Sequence, residues 1–463
     1  MASAAEQLAA NLSFSNFSKA TELKKRLWFT LFALIVYRLG TYVPLPGINP
    51  AAYAQAFDQQ SHGVLGLFNM FSGGAVQRLA ILALGIMPYI TASIIMQLMT
   101  TMVPSLEALK KEGEQGRKVI NQYTRYGTVI LATLQAYGIA VGLEGGQGIV
   151  ADPGWFFRLT AVVSLVGGTM FLMWLGEQMT ARGVGNGISL IIFSGIVAAM
   201  PGALVQLLEQ GRTGALATPI ILIILVTMVA LIAAIVFVER AQRRLLIQYP
   251  KRQIGMKMFQ GDTSHLPLKL NTAGVIPPIF ASSLLLLPLT VAGFANSENL
   301  PGWLSVIAAN LGRGQPIYLL LYAGLIIFFA FFYTAVVFNP YDTADNLKKQ
   351  GGFIPGIRPG ERTAEYIEYV LTRITVLGAL YLVIVCLIPE VFLSNIGISA
   401  FLGGTSMLIM VSVPMDTIQQ IQGHMLAHQY EGLVKKSQLR GGKNRAGQRT
   451  GQRTSQRAGR RKR

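Results

Sequence analysis

The chain has 463 residues, of which 52% are hydrophobic and only 13% are charged, and its mean hydropathy is +0.47. Because soluble domains carry about 25% charged residues, this composition excludes a soluble globular protein and predicts an all-α polytopic membrane protein. The net charge of +18 is uneven, since residues 435–463 hold twelve Lys and Arg residues and no acid, and the single cysteine, Cys386, excludes a disulfide within the chain.

The hydropathy pattern predicts ten membrane spans. A bilayer core of about 30 Å needs about 20 apolar residues per helix. Gly and polar residues occur within several of the apolar runs, which favours helices packed on one another over helices facing lipid. The predicted spans are Leu27–Val43, Leu79–Met102, Tyr123–Leu143, Trp155–Leu175, Gly187–Leu208, Ile220–Val238, Ala273–Val291, Tyr318–Phe338, Val370–Pro389 and Phe401–Met425.

The segment around the second span has an unusual pattern. Val64–Ala75 is too short to cross a bilayer and breaks at Gly73 and Gly74, whereas Leu79–Met102 is long enough and is interrupted by Pro88. Interrupted segments of this kind are tolerated in a membrane only where they are buried in protein or line a cavity. The pattern predicts a stopper and part of the wall of a pore, although a re-entrant hairpin or an ordinary broken helix explains it equally well.

The distribution of basic residues predicts the orientation. All fifteen lysines fall in the N-terminus, in the loops after spans 2, 6 and 8, or in the C-terminus. The positive-inside rule therefore predicts that both termini are cytoplasmic. We expect an N-terminal segment 1–26, a first half 27–210, a second half 211–430 and a basic tail 431–463. Five spans in each half would make any symmetry between the halves inverted.

Two of the predicted cytoplasmic loops, 239–271 and 339–369, are large and basic, and their turn-forming residues predict hairpins or short helices. Their charge either retains the loops inside the cell or forms a docking surface for an acidic or RNA-containing partner. Exposure of Ile354, Pro355 and Ile357, which we expect in the second loop, favours docking.

The sequence lacks the motifs of common enzyme and metal sites. It contains no phosphate-binding loop, no nucleophile elbow and no HExxH motif, and only His424 and His428 of its four histidines are close in sequence. No acid stands clearly within a span, where ion-coupled transport requires one, and Glu390 is expected in an outer loop. These features favour a passive conduit without catalytic residues or cofactors over a ten-helix solute permease or an intramembrane enzyme.

Several long runs resemble the SecY family, the central channel subunit of the bacterial Sec protein translocase. They include FNMFSGGAVQR at 68–78, ALGIMPYITASIIMQL at 83–98, RGVGNGISLIIF at 182–193 and FFYTAVVFNPYDTADNLKKQGGFIPGIRPG at 331–360, and the resemblance covers roughly residues 20–440. It implies two inverted five-helix halves in the bacterial inner membrane. Unfolded preproteins would pass between the halves, and nascent spans would leave between the second and seventh helices. An accessory copy of SecY is an alternative within the family.

The resemblance also implies partners: the small subunits SecE and SecG, the SecA ATPase, the ribosome, preprotein substrates and membrane lipids, without direct DNA binding. The docking residues would be Arg244, Lys251 and Arg358. The lateral gate would include Gln97, Asn186 and Leu287.

The implied pore ring consists of six isoleucines, and their spacing is compatible with that role. Residues four apart on a helix share a face, so each of the first two pairs would project together. Packing within the protein or contact with lipid explains the same pattern. The ring residues are Ile86, Ile90, Ile188, Ile192, Ile279 and Ile409, and the implied plug residues are Phe68, Asn69, Met70, Phe71, Ser72, Gly73 and Gly74. Pro278, beside Ile279, departs from the family and predicts a local change in the seventh helix.

Overall fold

The computed structural model describes residues 21–60, 69, 71–145, 148–214, 216–250, 252–254, 257–259, 263–294, 315–396 and 403–425. The first part of this described chain is helical. Its helices are α1 (Thr21–Gly40), α2 (Pro50–Gln60), α3 (Met87–Met102), α4 (Pro104–Lys111), α5 (Glu114–Glu144), α6 (Trp155–Arg182) and α7 (Gly187–Arg212).

The second part combines helices with two small antiparallel sheets. Helix α8 (Thr218–Arg240) precedes β1 (Gln242–Gln248), β2 (Arg252–Ile254), β3 (Lys257–Phe259) and β4 (Thr263–Lys269). Strand β1 pairs with β4 and β2 with β3 as two antiparallel sheets, here called the β-hairpin, in the loop 239–271 where the sequence predicted hairpins or short helices. The remaining helices are α9 (Ile276–Phe294), α10 (Pro316–Val337), α11 (Pro340–Gln350), α12 (Glu361–Ile396) and α13 (404–425).

Six helices of the described chain are long and apolar enough to cross a membrane: α5, α6, α7, α8, the run from α10 into α11, and α12. The number becomes seven if α3 and α4, which meet at an angle of 98°, are counted as one span. Helices α1 and α13 coincide with predicted spans but contain charged or polar residues over part of their length. The prediction of ten spans is therefore supported in its helical character and not in its full count.

The second predicted span begins later than expected. Residues 72–86 form turns and a single bridge, and the helix starts only at Met87. Leu79 and Gly85 have φ values of +43° and +58°, which a continuous right-handed helix excludes. Pro88 occupies the first turn, where its missing N–H costs no hydrogen bond, so the prediction that it interrupts a helix was wrong. Pro277 and Pro278 likewise follow the first residue of α9.

Most buried apolar side chains form one continuous core that joins the two parts of the chain. In the first part, α3 packs on α5, α5 on α6, and α6 on α1 and α7; in the second, α10 packs on α9 and α12. Helix α9 also contacts α3 and α5, so the two parts meet along these helices. Glu390 lies inside α12 with 7% of its surface exposed, so its expected position in an outer loop was wrong.

The loops cluster at two ends of the bundle. Gln248 and Phe353 exchange backbone hydrogen bonds of 2.9 Å and thereby join the β-hairpin to the loop after α11. Lys269 of β4 donates to Gln419 of α13. At the other end, Ile48 pairs with Val150 across the loops that follow α1 and α5. The orientation assigned from the distribution of lysines stays a prediction.

Candidate functional site

The six predicted ring residues lie on four helices that share the main apolar core. Ile86 precedes α3, which carries Ile90, and α7, α9 and α13 carry the others. Ile86, Ile90, Ile192, Ile279 and Ile409 are all buried, and Ile188 is half-buried and packs against the same core. The structure therefore places all six in one apolar cluster, while their arrangement as a ring around a pore stays a prediction.

The segment before α3 is folded into a compact turn. Phe68 and Met70 lie outside the described residues, whereas Asn69, Phe71 and Ser72 are buried. The Gly74 backbone N–H donates to the Asn69 carbonyl at 3.0 Å, and the Gln77 N–H donates to Asn69 Oδ1 at 3.0 Å. Gly73 and Gly74 have φ values of +66° and +85°, the left-handed region that glycine adopts without strain. The predicted chain break at these glycines coincides with this turn.

Polar side chains from α1 reach the same turn. Tyr37 Oη donates to the Ser72 carbonyl at 3.2 Å, and Arg38 Nη1 donates to the Gly73 carbonyl at 2.9 Å. Arg78 Nη2 approaches the Gly73 carbonyl at 3.5 Å, and its Nε donates to the Thr41 carbonyl at 3.3 Å. Sequence reasoning gave Tyr37 no role and Arg38 no partner, because the acceptors are backbone carbonyls about 35 positions away.

The predicted gate helices are in contact. Helix α3 packs against α9, which are the second and seventh predicted spans. Gln97 on α3 is half-buried; its Nε2 donates to Ser93 Oγ at 3.4 Å, and its Oε1 has no hydrogen-bond partner among the described residues. Asn186 is exposed and caps α7, since its Oδ1 accepts from the Ile188 N–H at 3.1 Å. The Leu287 side chain lies outside the described part of the structure.

The predicted docking residues lie at the end of the bundle that carries the β-hairpin. Arg244 is exposed on β1 and Arg358 is exposed in the turn before α12, while Lys251 lies outside the described residues. A second apolar cluster holds the two loops together; it comprises Leu245, Ile247, Leu268, Leu347, Ile354, Ile367 and Ile374. Ile354 is 6% exposed, so its expected exposure was wrong, because the hairpin covers it. Pro355 is exposed and Ile357 is half-buried.

A groove of about 1310 Å³ opens between the two parts of the chain at this end. The ends of α3 and α10 and the faces of α4 and α12 line it, with Phe331, Phe338, Glu107, Lys111 and Glu368 among the lining residues. Lys111 Nζ pairs with Glu107 at 2.8 Å and lowers the pKa of that carboxyl. Among the residues that the structure describes, no group of three His, Cys, Asp or Glu side chains could hold a metal ion.

Comparison with known proteins places this arrangement in a family. The family model described as SecY matches residues 80–418. The protein translocase subunit SecY of Escherichia coli K12 is 55% identical over 423 residues, which cover 91% of this chain and 96% of the relative. The SecY subunit of Rickettsia typhi is 53% identical over 431 residues, with coverage of 92% and 99%.

Solved structures show the same fold at lower identity. A protein-conducting channel superimposes with a TM-score of 0.64 at 18% identity, covering 86% of this chain and 92% of the other. A SecY protein whose plug domain is described as stabilising the closed state and maintaining a membrane seal gives 0.63, also at 18% identity and with the same coverage. Sec61 in the canine ribosome–channel complex gives 0.61 at 17% identity, again covering 86% and 92%. The chain therefore belongs to the SecY family of protein translocase subunits.

Proposed function

We propose that this chain is a protein-conducting channel that moves unfolded preproteins across the plasma membrane and releases transmembrane segments sideways into the bilayer. The observation that carries the proposal is 55% identity to a SecY translocase subunit over nearly the full length of both proteins. The helices of the described chain that can cross a membrane agree with it. The chain supplies the conduit, and its partners and the proton-motive force supply the energy.

The channel consists of ten spans in two inverted five-helix halves. Each predicted span overlaps a described helix, although the bounds differ by more than five residues at one end or both for α1, α3, α5, α6 and α12. Contacts between the hairpin, the loop after α11 and the end of α13 support a common side for these loops. We place that side and both termini in the cytoplasm, because the lysines concentrate there.

The six isoleucines form the constriction. Branched apolar side chains can close a narrow pore by excluding water and can still move apart around a passing chain. Burial of five of them in one core, with Ile188 packed against it, supports this role. The ring includes residues from both halves, because its members lie on or next to α3 and α7 in the first half and on α9 and α13 in the second.

The plug is the segment around Asn69–Gly74, and the lateral gate lies between α3 and α9. A buried, hydrogen-bonded turn at residues 69–77 supports the plug, as does the fold shared with a SecY protein described as having one. Contact between α3 and α9 supports a gate that is shut in this conformation. Gln97 lies on one gate helix, and its buried amide oxygen has no hydrogen-bond partner among the described residues.

The partners are SecE, SecG, SecA and the ribosome. The docking surface includes the exposed residues Arg244 and Arg358, at the end where an apolar cluster joins the two large loops, and we assign Lys251 to it from the sequence alone. A basic surface suits an acidic protein partner or ribosomal RNA. Related Sec61 and Ssh1 channels have been solved with ribosomes bound, which supports the ribosome as a partner.

Reconstitution tests the proposed function directly. The chain is copurified with its small subunits, inserted into liposomes, and given SecA, ATP and a preprotein that carries a signal sequence. We expect ATP-dependent protection of the preprotein from external protease. If the vesicles take up a small solute but do not protect the preprotein from protease, the result would instead support a permease. Transport of a narrow subset of preproteins would indicate an accessory copy.

A further inference from the structure

Side chains of α1 hold the turn at Ser72–Gly74 by hydrogen bonds to its backbone carbonyls. Tyr37 and Arg38 are consecutive residues of α1, and they donate to the consecutive carbonyls of Ser72 and Gly73 at 3.2 and 2.9 Å. Because the acceptors are carbonyl oxygens, these hydrogen bonds do not depend on which side chains the turn carries. The turn is thus attached to α1 by its backbone.

Arg78 completes the attachment from the other side of the turn. Its Nη2 lies 3.5 Å from the Gly73 carbonyl, its Nε donates to Thr41, and its guanidinium lies 4.0 Å above the ring of Tyr42. The Arg38 guanidinium lies 5.8 Å from the same ring. No carboxylate of the described residues pairs with either arginine, so two like charges are held together by carbonyls and one aromatic face.

Gly195 of α7 provides the third contact. A Cβ atom at Gly195 would lie 3.0 Å from Gly73 Cα, 3.2 Å from Gly73 N and 3.1 Å from Tyr37 Oη. A Cβ at Gly73 would lie 2.8 Å from Gly195 Cα. The turn therefore touches the backbone of α7 directly, and that helix carries Ile188 and Ile192.

We infer that Tyr37, Arg38, Arg78 and Gly195 form a latch that holds segment 71–75 in place, and that the release of this latch is the step that frees the segment. The inference rests on the proposed function, since it specifies how the proposed plug is retained. Its parts come from α1, from the segment after the turn and from α7, so a motion that separates α1 from α7 must break the contacts of the turn with at least one of these helices. Repulsion between the two arginines limits how tightly the latch can hold.

Accessibility of a cysteine at position 75 tests the latch. Ala75 is fully buried and close in size to cysteine, and the native Cys386 is buried and provides the background rate. The full chain carrying Ala75→Cys, in membranes with its partner subunits, is treated from the outer side with a maleimide that does not cross membranes. The labelling rate is compared among four backgrounds: the otherwise native chain, Gly195→Ala, Tyr37→Phe and Gly202→Ala.

Gly202→Ala is the matched control, because Gly202 lies on the same helix and an added Cβ there meets no atom within 4 Å. We expect Gly195→Ala to raise the labelling rate about tenfold, the change that 1.4 kcal/mol produces in an equilibrium. Tyr37→Phe should raise it by a smaller factor, since one hydrogen bond is lost without a clash. Equal rates in all four backgrounds would overturn the latch. If Gly195→Ala does not accumulate, Tyr37→Phe and Arg38→Gln decide the question in the same assay.

A measurement of ion leakage tests the sealing role of the plug separately from the latch. The same membranes are assayed for leakage of small ions without a preprotein. Faster labelling with increased leakage supports both the latch and the sealing role of the segment. Faster labelling with unchanged leakage supports the latch and contradicts the plug as a seal.

Discussion

Asn271 joins Glu239, at the end of α8, to the segment that precedes a gate helix. Its Nδ2 donates to Glu239 Oε1 at 2.8 Å and to the Gly274 carbonyl at 3.0 Å. Glu239 lies in the last turn of α8, directly before the hairpin, and Asn271 follows β4 and precedes α9. The two ends of the docking hairpin are thus tied together at the base of the helix that carries Ile279.

Replacement of Asn271 should loosen this junction. Asn271→Ala removes both hydrogen bonds, including the one that the half-buried Glu239 carboxylate accepts from Asn271, which should lower the free energy of unfolding by about 1–3 kcal/mol. The thermal midpoint of the complex in detergent measures the loss. Thr272→Ala is the control, since its hydroxyl donates only to the neighbouring Lys269 carbonyl and its loss should cost within about 0.5 kcal/mol. Equal midpoints for both variants would contradict a supporting role for the Asn271–Glu239 contact.

Contacts of this kind mark the limit of what the sequence could predict. Local hydropathy located the helices well, and α6 and α7 begin at Trp155 and Gly187 as predicted. Pro88 is compatible with a helix interior or with a first turn, and only the turns at residues 72–86 decide between them. Ile354 and Glu390 were misplaced because their burial depends on elements that pack from elsewhere in the chain.

In the candidate site, too, local patterns could be predicted from the sequence and long-range contacts could not. The Gly73–Gly74 break and the i,i+4 isoleucine pairs are local patterns, and they were visible in the sequence. The donors from Tyr37 and Arg38 to carbonyls at 72 and 73 were not, since a backbone acceptor has no residue signature. Close approaches between helices likewise depend on three-dimensional packing, as the contact of Gly404 with α12 shows.

Gly404 and Gly423 should respond oppositely to alanine. A Cβ at Gly404 would lie 2.1 Å from the Val385 carbonyl oxygen, so Gly404→Ala must push α13 away from α12. Overpacking of this kind costs about 1–3 kcal/mol. A Cβ at Gly423 meets no atom within 4 Å, and Gly423→Ala should gain up to about 1 kcal/mol in helix propensity. Thermal midpoints measure both, and destabilisation of equal size would contradict close packing at Gly404.

Charge reversal at Arg358 should separate two activities of the channel. Arg358 is exposed, so Arg358→Glu should leave the stability of the chain nearly unchanged. We expect export driven by SecA to fall by about tenfold or more, as loss of a charged contact at an interface can produce. Insertion of membrane proteins should persist. Pulse-labelling of an exported and an inserted protein measures the two, with the exposed Arg117→Glu as the control for charge alone. Unchanged export would contradict docking at Arg358.

Opening the apolar cluster at the predicted ring should make the channel leak. Ile86→Gly with Ile192→Gly removes two side chains that are each 1% exposed, and water can enter the space that they leave. Ile191→Gly with Leu190→Gly is the control, because both residues are buried in the same core and both lie within α7, so this pair loses more helix propensity than the first pair, in which only Ile192 is helical. Leakage of small ions from vesicles without a preprotein should rise in the first pair and not in the second. Equal leakage from both pairs would show that general loosening of the bundle, and not a ring of isoleucines, determines the seal.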